Sequence, residues 1–214
     1  MSEADETKGQ KLMIRDTINS GARKLPKWAA YALGLIPFAL LVWGAVNNTL
    51  GVDPVKAIEH RLGEVGLQLL VAGLAITPLM KIFRINLVKF RRVLGVLAFF
   101  YVTMHLVTWA VLDMGLLWDE ILKDLVKRWY IIIGMAAFVL MIPLALTSND
   151  WALRKVGPVR WRALHKATYA IGLLGGLHFV MLVKGFQIEP LIYVGITIML
   201  LALRLPAAQK LRFA

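Results

Sequence analysis

Residues 93–112, VLGVLAFFYVTMHLVTWAVL, run for twenty positions without a charged side chain and carry one imidazole, His105. A helix needs about 20 apolar residues to cross the hydrocarbon of a bilayer, so this stretch reads as a transmembrane span. A histidine within such a span is costly unless paired or ligated, and it marks a functional site. Five further stretches read the same way: roughly 28–46, 65–83, 130–147, 167–183 and 190–205. The chain is 59% hydrophobic over 214 residues, with a mean hydropathy of +0.68. That leaves no length for a separate water-soluble domain. The expectation is an all-α integral membrane bundle of six transmembrane helices over 28–205, between an N-terminal tail, 1–27, and a C-terminal tail, 206–214. The head of the chain is too polar, and too far ahead of the first apolar run, for a cleaved signal peptide. It is expected to be a mobile tail.

The net charge of +12 reports topology. Nineteen of the 25 basic residues fall in the N-terminal tail, in 81–92, in 154–166 and near the C-terminus; six fall in the alternate loops. This asymmetry is the positive-inside pattern and places both termini in the cytoplasm. No basic face interleaved with stacking aromatics appears, so nucleic acid is not an expected partner. Pro37, Pro78 and Pro143 lie within spans, as packed membrane helices tolerate. The loop 113–129 reads as a short amphipathic helix on the outer surface. Trp109, Trp118, Trp129, Trp151 and Trp161 read as interfacial anchors.

Depth relates the histidines to one another. The third and fifth spans both run outward, so they are parallel. His105 lies 13 residues after Arg92, and His178 lies 13 residues after His165. Both imidazoles then stand roughly 20 Å from the cytoplasmic boundary, at matching depth on neighbouring helices. Facing each other, they suit axial ligation of haem iron; bonded to backbone carbonyls, they would be core histidines. Gly172, Gly175 and Gly176 remove bulk near His178. His165 sits among Arg160, Trp161, Arg162 and Lys166 at the inner mouth. On one straight helix it lies some 140° from His178 in azimuth, so sharing a face requires a bend at Gly172–Gly176. It is a further candidate ligand, or a contact for a flavin, quinone, phosphate or propionate, or an interfacial histidine without special role. His60, beside Glu59 and Arg61, reads as a propionate or partner contact, or as a solvated loop residue. Asp53-Pro54 reads as a turn and helix start. The chain has no cysteine, which excludes disulfides, thiolate-held clusters and covalent haem attachment. Any haem is therefore b-type.

These motifs in this order resemble the ferric-reductase-type transmembrane domain. Within that group they are similar to the MsrQ (YedZ) family, haem-binding membrane subunits of periplasmic methionine sulfoxide reductase systems. The similar stretches include Gly34-Leu35-Ile36-Pro37-Phe38, Asp53-Pro54-Val55 with His60, Ile76-Thr77-Pro78-Leu79 and Arg91-Arg92-Val93-Leu94-Gly95. Further on come His105-Leu106, Thr147-Ser148, Trp161-Arg162-Ala163-Leu164-His165, His178 and Pro190-Leu191-Ile192-Tyr193. The resemblance implies haem b, FMN and a bacterial inner-membrane location. It also implies electron passage from quinol or a cytoplasmic flavin reductase to a periplasmic molybdopterin-containing catalytic subunit. The fuller ferric-reductase pattern has two histidines on the third span where this chain has one, so a second bis-histidine haem lacks its ligand set. The soluble flavin and nicotinamide domains of the larger reductases are missing, so direct oxidation of a nicotinamide is not expected. No complete catalytic site for a substrate is expected either.

Two rivals remain at this level. A proton or solute transporter would use His165 and His178 as relays, but no carboxylate falls within the six stretches to partner them. A structural anchor would leave the matched histidine depth unexplained. At the cytoplasmic face Arg91, Arg92, Arg160, Trp161, Arg162 and His165 form a candidate flavin or quinol site, guanidinium groups suiting a phosphate or an anionic ring, or the arginines serve only topology and lipid head groups. Reporter fusions at Asp119 and Arg160 are expected to report opposite sides of the membrane; the same side for both would overturn the topology.

Overall fold

The computed structural model describes residues 3–183, 185 and 187–204. It consists of α1 (Glu3–Lys24), α2 (Lys27–Val46), α3 (Pro54–Phe83), α4 (Arg91–Val107), α5 (Trp118–Lys127), α6 (Trp129–Leu146), α7 (Asp150–Val156), α8 (Pro158–Leu164), α9 (Ala167–Leu182) and α10 (Ile188–Ala202). No strand occurs among the described residues. The tail 206–214 lies outside them.

Four helical stretches are long and apolar enough to cross a membrane: Lys27–Val46, Pro54–Phe83, Val88–Asp113 and Trp129–Leu146. The expected fifth and sixth spans are shorter. With 16 and 15 residues, α9 and α10 reach only about 24 and 22 Å. Length alone therefore assigns a crossing to four helices, while α9 and α10 pack into the same bundle.

Other expectations are corrected. Instead of a mobile tail, residues 3–24 form a helix whose end is tied down. The Asn19 side-chain amide donates to the Arg84 carbonyl at 3.0 Å and accepts from Asn86 N–H at 2.8 Å. Lys89 Nζ donates to the carbonyls of Arg23 and Leu25. The second span starts well before Val65, because Asp53 caps the helix by accepting from Lys56 N–H at 3.0 Å and Pro54 opens its first turn. At 30 residues, α3 is about 45 Å long, and it carries Glu59, His60 and Glu64 as helical residues. A carboxylate does therefore lie beside the histidines: Glu59, outside the apolar stretch but within α3, is buried at 7% exposure.

Two helix pairs frame the molecule: α3 lies along α4, and α6 lies along α9. Contacts between α4 and α6 and between α3 and α9 close the four into a bundle, with α10 against α3 and α9. Leu70, Ala98, Ala137, Met141 and Ile171, from all four helices, form one buried cluster. Close approach at α9 depends on glycine: a Cβ at Gly172 would stand 3.0 Å from Leu74 Cδ1, and one at Gly176 would stand 2.9 Å from Val194 Cγ2. These glycines seat α9 on α3 and α10, and α9 runs unbroken past both.

Beyond His105 the α4 helix widens into a π-helical stretch, Thr108–Asp113, a distortion frequent at functional sites. It turns Trp109 inward, so this ring is buried against Ile121 and Ile131 and is no interfacial anchor. Trp118, Trp129 and Trp151 are exposed, as anchors would be. The Tyr101 hydroxyl accepts from Phe38 N–H at 3.0 Å and donates to the Gly34 carbonyl at 2.8 Å. It thus bridges an i→i−4 pair of α2 beside Pro37, where the ladder is already weakened. Tyr101→Phe is expected to lower stability by about 1–2 kcal/mol, leaving a buried N–H without its partner. Thermal unfolding in detergent reads this, and an unchanged midpoint would overturn it.

Candidate functional site

His105 projects from the last turns of α4 and His178 from the last turns of α9. The two rings meet, with centroids 6.2 Å apart and planes crossed at 83°. The matched depth of the two residues is thus a real juxtaposition. Each ring is held by its Nδ1 atom. His105 Nδ1 lies 2.8 Å from the Glu59 carbonyl on α3, and His178 Nδ1 lies 2.7 Å from the Tyr130 carbonyl on α6. A carbonyl only accepts, so both rings carry their proton on Nδ1 and present Nε2 as a lone pair.

Glycine makes both bonds possible. Gly63 stands one helical turn after Glu59, and Gly134 one turn after Tyr130. A Cβ at Gly63 would lie 3.2 Å from His105 Nδ1, and one at Gly134 would lie 2.8 Å from His178 Nδ1. The ring in each case lies across the bare backbone of the glycine and reaches the carbonyl behind it. Neither glycine was singled out in the sequence. The signal was there in a faint form, as a glycine inside each helix that faces a histidine helix. Of the glycines that were singled out, only Gly175 borders the space beside the rings.

That space is a cavity of roughly 390 Å³ between α3, α4, α6 and α9. Its inner wall is apolar, with Leu70, Met141 and Ile171 at the floor, and His105 and His178 stand beside it. Its mouth is polar, with Lys56, His60, Glu64, Asp113, Arg128 and Glu189. Lys56 pairs with Asp113 at 2.9 Å and with Glu59 at 3.4 Å. His60 is therefore an exposed helical residue at this mouth. Two imidazoles bound through Nε2 at about 2.0 Å on opposite sides of one metal would have ring centres about 6.3 Å apart. The observed 6.2 Å matches that separation.

At the opposite end the basic clusters gather. Arg92 pairs with Asp150 at 2.7 Å, Arg91 donates to Thr77 Oγ1, and Arg204 donates to the Tyr169 hydroxyl at 2.9 Å. His165 lies in the turn between α8 and α9, outside the helix that carries His178, so the azimuth expected on one continuous helix does not apply. Its ring stacks on Trp161 at 3.7 Å, and its Nδ1 lies 3.0 Å from the Trp161 carbonyl. Its Nε2 is buried and makes no hydrogen bond of ordinary geometry, although the Leu144 backbone stands close enough to act on the ring. Burial, with Arg92 adding to it, pulls the His165 pKa below the usual histidine value, which keeps the ring neutral. Trp161 also donates its indole N–H to the Thr147 carbonyl at 2.8 Å. One face of the expected stacking plane is therefore already taken by His165. Arg160 and Arg162 are exposed and form no ion pair among the described residues.

Residues 62–176 match the family model described as ferric reductase like transmembrane component. The stretch runs from α3 into α9 and includes His105 and His165. Three proteins named "Protein-methionine-sulfoxide reductase heme-binding subunit MsrQ" are similar over most of the chain. The Agrobacterium fabrum protein is 44% identical, covering 83% of this chain and 82% of its own. The Brucella anthropi protein is 43% identical over 89% and 86%, and the Rhizobium meliloti protein 45% identical over 87% and 86%. No solved structure matches the chain. The fold, the family model and these relatives agree: the chain belongs to the ferric-reductase-like transmembrane family and, within it, to the MsrQ subunits.

Proposed function

We propose that this chain is the b-type haem membrane electron-transfer subunit of a methionine sulfoxide reductase system, with His105 and His178 as the axial ligands of one iron. The observation that carries the reading is the crossed imidazole pair, 6.2 Å between centroids, with both Nδ1 atoms bonded to carbonyls. Among the described residues no three histidine, aspartate or glutamate side chains form a metal-binding group. A metal held by these two imidazoles must therefore bring its equatorial ligands with it, as a porphyrin does. The relatives' name states haem binding, and the absence of cysteine makes the attachment non-covalent.

Bound haem supplies a one-electron ferric–ferrous couple. The chain's own residues do the rest. The Glu59 and Tyr130 carbonyls hold the Nδ1 protons, which fixes the tautomer and aims both Nε2 atoms. The apolar floor from Leu70, Met141 and Ile171 excludes water. Lys56, His60 and Arg128 at the mouth offer positive or hydrogen-bonding groups to propionates. Under the positive-inside rule the mouth faces the periplasm and both termini lie in the cytoplasm, in the bacterial inner membrane. Electrons would leave there for a periplasmic molybdopterin-containing catalytic subunit that repairs oxidised proteins. At the basic end, Arg91, Arg92, Arg160, Trp161, Arg162 and His165 would receive the donor, membrane quinol or a flavin reductase, with FMN as the candidate flavin. His165 is kept as a candidate contact of that donor site.

His105→Ala and His178→Ala should each abolish or severely reduce the Soret absorbance of the purified protein, while His60→Ala should retain most of it. A wild-type bis-imidazole spectrum in either of the first two variants would overturn the ligand assignment. Replacing Arg91 and Arg92 by Gln should slow haem reduction by the donor several-fold without altering the haem spectrum. Unchanged kinetics and flavin content in that variant would confine these arginines to a topological role.

A further inference from the structure

The helices that carry no ligand treat the two imidazoles alike. On α3, the Glu59 carbonyl holds His105 Nδ1 at 2.8 Å across Gly63. On α6, the Tyr130 carbonyl holds His178 Nδ1 at 2.7 Å across Gly134. Carbonyl and glycine are four residues apart in both cases, so the glycine's own N–H is the ordinary helical donor to the same carbonyl. Each carbonyl has a second lone pair for the imidazole, and the missing Cβ opens the way to it.

We infer that Glu59–Gly63 and Tyr130–Gly134 are a matched pair of positioning clamps that lock the His105 and His178 planes near perpendicular and so set the electronic state and potential of the iron between them. This rests on the haem reading above. The observations that carry it are the 83° between the ring planes and the 2.8–3.2 Å approach of a would-be Cβ to each Nδ1. A side chain at either glycine would push the ring away from its carbonyl and release its rotation about the Cβ–Cγ bond. Crossed axial imidazoles leave the two iron orbitals that interact with them nearly equal in energy, and parallel imidazoles split them. Donation of the Nδ1 proton to a carbonyl also raises the basicity of the ligand, which favours ferric over ferrous iron and lowers the potential. Gly63 and Gly134 line the same cavity as the two imidazoles; they are positioning residues that act on the iron through the histidines.

The test compares haem-loaded wild type with Gly63→Ala and Gly134→Ala by electron paramagnetic resonance and redox titration. Gly95→Ala and Gly195→Ala serve as controls, because a Cβ at either position meets nothing within 4 Å. Wild type is expected to show one dominant low-spin feature at very high g, the mark of crossed imidazoles. Gly134→Ala, with the tighter approach, is expected to move toward a rhombic spectrum and to raise the ferrous-to-ferric ratio at fixed poise on the order of tenfold, about 59 mV. Gly63→Ala should shift the same way by less, and both controls should match wild type. Glycine variants that hold haem with wild-type g-values and potential would overturn the inference. If the variants do not load, the unmodified protein still decides: a rhombic spectrum of ordinary spread there would refute crossed clamps. A wild type that binds no haem at all would instead remove the functional reading beneath.

Discussion

The structure turns on one interaction made twice: an imidazole N–H on one helix bonded to a backbone carbonyl on its neighbour, across a glycine. An unpaired imidazole in an apolar interior is expensive, and an unfixed one would adopt either tautomer. The bonds from His105 to Glu59 and from His178 to Tyr130 solve both problems. They also explain the pairing of the helices. Each histidine helix needs a partner close enough to offer a carbonyl, and α3 with α4 and α6 with α9 are the most extensively packed pairs in the bundle.

Polarity is arranged around that centre in layers. The buried cluster from α3, α4, α6 and α9 closes the cavity on the side of the basic clusters. The ion pairs of Lys56 with Asp113 and Glu59 sit on the other side, where α3 outlasts the apolar stretch. The π-helical turn after His105 places Trp109 in the wall between the rings and this charged mouth. The basic end is also tied across the chain: Lys89 reaches the end of α1, and Arg92 reaches the start of α7. The histidine pair therefore lines a cavity with an apolar floor, set between a mouth of mixed charge and a basic end.

Much of this was legible in the sequence because periodic hydrophobicity and charge asymmetry are strong one-dimensional signals. Counting from a charge boundary sufficed to put His105 and His178 at the same depth. Less legible was whatever depends on caps and neighbours. Asp53-Pro54 extends α3 far beyond its apolar portion, so His60 and its neighbour Glu59, which hydropathy leaves outside the span, are helical. The turn before Ala167 detaches His165 from α9, which defeats an azimuth computed on one helix. Gly63 and Gly134 could not be distinguished from packing glycines such as Gly172 and Gly176, because the difference lies in which residue of another helix approaches them.

The most direct test of the histidine pair as one haem site is near-infrared magnetic circular dichroism of the purified ferric protein, with haem quantified per chain. Bis-imidazole ligation predicts at least one non-covalent haem b per chain and the low-energy charge-transfer band diagnostic of two neutral imidazoles. A preparation without haem after reconstitution, or a band assigned to a high-spin or non-histidine ligand set, would contradict it.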